Sequence, residues 1–267
     1  MLPLLLAFQL AQSPSPMVEH TRAHERQTQR AIPGERIQTK FGEIILPPAA
    51  RPGKPVALVI HFHGARWLAE QSVRQAYPRA AVLAVQLGSG SRVYGEPFQD
   101  AGTLPAVLAA LKRPVSRLTL TGWSAGYGAI REILRQPANA ALVYSVVLLD
   151  GIHSGYDPPE EKRLPAAADL DSFEQFAREA IGGRKRLLIL HSEIFPSSFA
   201  STTETTDWLL DRLGLRRHAV LRWGSLGMQI VSDTRKGRLR VIGFAGNSAP
   251  DHVDHLHALP WALKLVK

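Results

Sequence analysis

Residues 117–126 read Arg117-Leu118-Thr119-Leu120-Thr121-Gly122-Trp123-Ser124-Ala125-Gly126. The first five predict a strand. The residues after the turn predict a helix running to Leu134 and stopped by Pro137. Two glycines flank Ser124 where strand passes into helix. A turn this tight leaves its flanking positions room for little more than hydrogen. It holds the serine in a strained conformation with the hydroxyl projecting from the sheet. The helix start behind it adds positive potential and N–H groups for a developing anion. A phosphate loop is the competing reading of a strand, a glycine-rich turn and a helix, but Gly122 to Gly128 has neither the Walker lysine nor GxGxxG spacing.

Working outward, Val56 to Phe62 and Ala80 to Leu87 are continuous apolar runs of the kind buried on both faces of a sheet. Val143 to Leu149 and Arg186 to Leu190 read as further strands, and Arg36 to Leu46 as an early strand or hairpin. Helices are predicted over Leu104 to Leu111, with Thr103 as N-cap, and over Asp171 to Ile181, with Asp171 and Glu174 at capping-box spacing. Another runs to Leu213, opened by Ser201 and Glu204 and closed by Gly214. Met228 to Val231 and Leu239 to Phe244 flank Asp233 to Gly237, which reads as a hairpin turn, and a C-terminal helix is broken near Pro260. The alternation predicts an α/β fold, a mostly parallel sheet with helices on both faces. Ligands then gather at the carboxyl ends of the strands. The suspicious side chains fall there: His61 and His63, Ser124, Asp150, His191 and Glu193, and the group His252, His255 and His257.

His61-Phe62-His63-Gly64 at the end of an early strand, Gly122-x-Ser124-x-Gly126, and the order serine, acid, histidine along the chain resemble the α/β-hydrolase family over residues 36–267. The resemblance implies a carboxylesterase-type serine hydrolase acting on a small-molecule ester, with no metal or organic cofactor. It also implies an oxyanion hole made by the N–H groups of Ala65 and Ala125. The family usually has a second glycine where this chain has Ala65. His63 reads as a histidine that bonds its own loop rather than one that reacts.

A serine hydroxyl needs a base within hydrogen-bond reach, and the base needs a third group to fix its tautomer. In Asp251-His252-Val253-Asp254-His255-Leu256-His257, His252 lies in the loop expected before the final helix and is the preferred base, with His255 next. The acid is Asp150 or Glu193. Asp150 directly ends an apolar strand, whereas Glu193 must fold back, so Asp150 is preferred; its rival reading is an Asp-Gly turn former. Trp67, Trp123, Tyr127 and Tyr156 flank these positions in sequence and are candidates to line a pocket. Two other functions compete. One is a metal-dependent hydrolase using His61/His63 and Asp251/His252/His255/His257, which lacks a recognised ligand motif. The other is a hydrolase fold that only binds.

The 267 residues are 45% hydrophobic and 21% charged, which excludes a disordered or fibrous chain. The net charge of +9 raises the question of nucleic acid, but the basic residues are scattered, with Arg184-Lys185-Arg186 the tightest cluster, and no nucleic-acid partner is expected. There is no cysteine, so disulfides and thiolate chemistry are impossible. Leu2 to Leu10 is too short to span a bilayer, and no integral membrane association is expected. It has the length of a signal-peptide core (residues 1–12), followed by a polar arm over residues 13–35. Export, to periplasm or medium, is the expectation, and a cytoplasmic protein with a polar leader the alternative.

Overall fold

A computed structural model describes residues 26–267; the expected signal peptide lies outside them. In chain order the strands are β1 (Arg36–Thr39), β2 (Gly42–Ile45), β3 (Val56–Phe62), β4 (Ala81–Val85), β5 (Val115–Trp123), β6 (Val143–Leu149), β7 (Tyr156–Asp157), β8 (Leu164–Pro165), β9 (Arg186–His191), β10 (Ala219–Trp223), β11 (Gln229–Lys236) and β12 (Leu239–Phe244). The helices are α1 (Arg66–Ala76), α2 (Ser91–Gln99), α3 (Thr103–Ala110), α4 (Tyr127–Leu134), α5 (Pro137–Leu142), α6 (Ala167–Ile181), α7 (Thr202–Arg212), α8 (Ala249–His257) and α9 (Leu259–Leu265).

One ten-stranded sheet runs in the order β1-β2-β4-β3-β5-β6-β9-β12-β11-β10. Its centre, β4-β3-β5-β6-β9-β12, is parallel. The hairpin β1–β2 joins antiparallel at one edge, and β11 and β10 extend the other. The central strands are apolar on both sides because each side is covered. One face packs Leu58, Ile60 and Leu120 against Tyr94, Phe98, Ile130, Phe173 and Leu209 of α2, α4, α6 and α7. The other packs Val59, Val82 and Leu188 against Ala69 and Val73 of α1 and Leu259 and Leu263 of α9. This is the α/β fold that the sequence predicts, a mostly parallel sheet with helices on both faces.

Several boundaries differ from the sequence reading. Helix α6 starts before Asp171, at Ala167. Pro165 ends β8, and the alanines that follow are the best helix formers available. The first free amide, that of Ala167, donates to the carboxylate of Asp157 at 3.2 Å, so the cap comes from another element and the Asp171–Glu174 spacing caps nothing. Thr103 is the first residue of α3 rather than its N-cap, which is Gly102. Asp233 does not make a turn. It lies in β11, buried, with the guanidinium groups of Arg222, Arg235 and Arg240 around its carboxylate. Burial opposes its ionisation, but hydrogen bonds from Arg240 and Arg235 hold it well below the ordinary carboxylate range. The Ser201–Glu204 capping box forms as expected at the start of α7.

At the other end of the described chain, Arg26 pairs with Asp254 at 2.8 Å, and the Gln27 side chain donates to the carbonyl of His257 at 3.0 Å. The Gln27 amide reaches His257 Nδ1 at 3.1 Å. These residues lie across α8.

The turn after β5 leaves no room for a side chain at Gly126. A Cβ at Gly126 would overlap the carbonyl oxygen of Phe62 at the end of β3. Gly126→Ala is therefore expected to cost about 1–3 kcal/mol of unfolding free energy through overpacking. Gly182→Ala, where the nearest atom to a Cβ is 3.5 Å away, stays within about 1 kcal/mol of wild type. Urea unfolding of both variants checks the contrast.

Candidate active site

Three of the six non-glycine residues with positive φ among the described residues lie at the carboxyl ends of the central strands: His63 (72°), Ser124 (48°) and Asp150 (45°). Each such conformation costs on the order of 1–3 kcal/mol, so the surrounding packing has to enforce it. At Ser124 the enforcing contacts are visible. Gly126 lies against Phe62 on one side. On the other, Gly151 lies so close to the Ser124 backbone that a Cβ there would overlap it. The Asp-Gly pair at 150–151 is thus more than a turn former: its glycine is the wall against which the elbow packs.

Asp150 directly follows β6, its N–H bonded to the Leu190 carbonyl at 2.8 Å. Its carboxylate is buried and receives four donors. Ser192 gives its N–H at 2.9 Å and its hydroxyl at 2.7 Å, and Thr202 gives its hydroxyl at 2.9 Å. His252 Nδ1–H donates at 2.6 Å. Burial works against the charge. The fields of His255 and His252 and the hydrogen bonds outweigh it and hold the group far below the usual carboxylate range. With Nδ1–H committed to Asp150, the neutral ring presents Nε2 as an acceptor.

His252, in the first turn of α8, is also fixed through its backbone and its ring. Its carbonyl accepts from Trp123 Nε1 at 2.9 Å, and its ring lies 4.7 Å from the Trp123 ring. The Trp123 ring is in turn stacked on that of His63 at 5.1 Å. His63 Nδ1 meets the Tyr94 hydroxyl at 2.8 Å, and the Gly64 amide donates to Gln86 at 2.8 Å. Burial, and then the charge of His252, push the His63 pKa down.

His255 lies near enough for its field to act on Asp150. It is buried, edge-on to Phe244 at 5.1 Å, and among the described residues its Nδ1 has no hydrogen-bond partner. Glu193 is exposed and its side chain does not reach His252, whereas its amide bonds Gly246. Among the described residues, no three His, Asp or Glu side chains converge so as to hold a metal ion. The sets proposed for a metal centre are dispersed. His61 is buried, its Nδ1 accepting from Thr121 and its Nε2–H donating to the His63 carbonyl, each at 2.7 Å. His257 faces Gln27.

Ala65 is exposed at the N-terminal end of α1, and Ala125 follows Ser124 in the single turn that opens α4. The amides at such helix starts lack intrahelical partners. Ser124 borders two cavities. One, of about 310 Å³, also contains Asp150, His252, Ile194, Pro196 and Phe199. The other, of about 550 Å³, contains Ala125, Tyr127, Arg131, His153 and Asp169. Of the aromatic residues singled out in the sequence, Tyr127 lines the larger cavity and Trp123 supports His252. Tyr156 hydrogen-bonds Glu204, and Trp67 packs on His257. Ser192, Thr202 and His153 were not singled out. The one signal for them is position, immediately after β9, at the start of α7 and just past Asp150.

No protein-family model matches the chain, and no curated protein matches it in sequence. Similar solved structures include a thermostable esterase, at 15% identity and TM-score 0.46, covering 85% of this chain and 58% of that one. The chain thus spans less than two thirds of that esterase. An esterase from the planctomycete Thermogutta terrifontis shows 14% identity and TM-score 0.48, with 82% of this chain and 84% of that one covered. A fungal esterase of Rhizomucor miehei shows 14% identity and TM-score 0.44, with 99% and 91% covered. The fold assignment rests on the strand order and the turn at Ser124 described above.

The buried histidines make stability depend on pH. Burial pushes His61 down to about 4. Burial, aided by Arg217, pushes His191 down to about 3. The unfolded chain takes up these protons near 6.5, so both contributions are complete above that pH and are lost as pH falls through the folded values. Each pH unit in that window is worth about 1.4 kcal/mol per histidine. Urea midpoints are expected to fall steadily from pH 7 to pH 4, and less steeply in His61→Asn.

Proposed function

We propose that the chain is a serine hydrolase that cleaves carboxylic esters through an acyl-enzyme. His252 Nε2 takes the proton from the Ser124 hydroxyl as Oγ attacks the ester carbonyl carbon. The carbonyl π pair moves onto oxygen, where the N–H groups of Ala65 and Ala125 hold the oxyanion. Collapse of the tetrahedral intermediate expels the alkoxide, which takes the proton from His252. Water then repeats the sequence on the acyl-enzyme, with His252 again as base, and releases the acid and the free serine. Asp150 keeps the imidazole in the tautomer that exposes Nε2 and stabilises its charged form. Esters are favoured over amides because an alkoxide is easier to expel than an amine anion.

The observation that carries this reading is the 2.6 Å contact between Asp150 and His252, beside a serine in the left-handed conformation that borders the same cavity. An acid with two donors from Ser192 after β9, one from Thr202 of α7 and one from an imidazole delivered by α8 is a costly arrangement for a protein that only binds. The same donors restrain Asp150 from turning away when His252 becomes charged.

Ser124→Ala is expected to lower kcat on p-nitrophenyl esters by about 10⁴-fold or more and to abolish labelling by a fluorophosphonate, with unchanged circular dichroism. A loss under tenfold would refute the assignment of the nucleophile. Asp150→Asn should cost about 10³–10⁴-fold, whereas Glu193→Gln stays within about twofold. His252→Ala compared with His255→Ala in the same assay separates the two candidate bases, since only His252 bonds Asp150.

A further inference from the structure

The two cavities that meet at Ser124 differ in chemistry, and the difference points to a substrate class. This substrate class presupposes the proposed ester hydrolysis. A leaving alkoxide takes its proton from His252, so the alcohol half of the ester lies in the cavity that contains His252. Ile194, Pro196 and Ala249 give that cavity an apolar wall of its own, beside Thr202, Asn247 and Ser248, while His153 and Phe199 line both cavities. With the alcohol half there, the acyl half takes the other cavity that Ser124 borders, which holds Ala125 and lacks His252.

The acyl cavity is aromatic near the serine. Tyr127 meets His153 edge to face at 5.5 Å, and His153 meets Phe199 at 5.0 Å. Further along it is ionic. Arg131 lies one turn beyond Tyr127, about 6 Å along the α4 axis. Its Nη1 donates to Asp169 Oδ1 at 2.9 Å, while Asp169 Oδ2 accepts the Gly155 amide at 3.1 Å. Glu132 and Arg135 complete the cluster, so two carboxylates balance two guanidinium groups. No surplus arginine is available for a second carboxylate on the substrate. The pair is partly hydrated, with side-chain exposures of 16% for Arg131 and 28% for Asp169. A plain alkyl chain would strip that water and return nothing. A hydroxyl can replace it, donating to the carboxylate and accepting from the guanidinium.

We propose that the larger cavity accepts a ring-bearing acyl group that ends in an uncharged hydroxyl, and that Arg131 and Asp169 are the residues that select it. A site built to bond a substrate hydroxyl rejects the analogue that lacks it, because its own polar groups are then left unpaired.

The test compares kcat/KM for p-nitrophenyl 3-(4-hydroxyphenyl)propanoate and p-nitrophenyl 3-phenylpropanoate. Wild type is expected to favour the hydroxylated ester by about tenfold or more. Arg131→Met should bring the ratio toward one. Asp169→Asn, which is isosteric and keeps an acceptor for the Gly155 amide, should lower it in the same direction and serves if Arg131→Met does not fold. A wild-type ratio near one, with both esters turned over, overturns the selectivity proposal and leaves ester hydrolysis standing. A high ratio unchanged in both variants overturns the assignment to this pair. No turnover of either ester, together with no fluorophosphonate labelling, overturns the proposed function itself.

Discussion

The molecule is organised around a backbone held where backbones rarely go. Ser124 sits at φ 48°, with Gly126 of its turn pressed on the end of β3 and Gly151, just past β6, pressed on its own backbone. Neither wall can retreat, because β3 and β6 flank β5 in the middle of a sheet buried on both faces. The parallel centre is therefore more than a scaffold below the site. It is the clamp that keeps a short polar side chain pointing out of the protein, and the dense packing of Phe62, Ile130 and Leu148 makes the clamp stiff.

Electrostatics around that clamp divides the titratable groups sharply. Asp150 is buried and charged, because four donors converge on it. His61, His191 and His255 are equally buried, and burial lowers the pKa of each. His252 is the histidine that joins the buried carboxylate to a cavity open to solvent, with its side chain 24% exposed. The rings of His63 and Trp123 form a stack behind it, so its orientation is set from three directions: carboxylate, indole face and main chain.

Much of this was legible in the sequence. The glycines around Ser124, the apolar runs and the polar residues after them gave the parallel sheet and the set of side chains at its rim. Asp150 stood out because it ends a strand with no spacer, and that is also why its carboxylate is buried. What escaped reading depends on partners distant in the chain. The start of α6 is set by Asp157, and Asp233 remains in a strand because three arginines from two neighbouring strands and its own meet there. Ser192 and Thr202 carry no local pattern that marks them as donors to a residue some 40 to 50 positions earlier. Helix α2, with Pro97 inside it, offers no clean signal, yet it supplies Tyr94 to the loop of His63.

The crossing of Arg26 and Gln27 over α8 has a mechanical consequence. The helix that carries His252 is latched from outside by residues that precede the first strand. A nick between Gln27 and the first strand would sever that latch from the body of the sheet without touching a single group at the rim. Cleavage in this short interval would leave α8 held only by its contacts with the body of the fold, with the packing around Ser124 untouched.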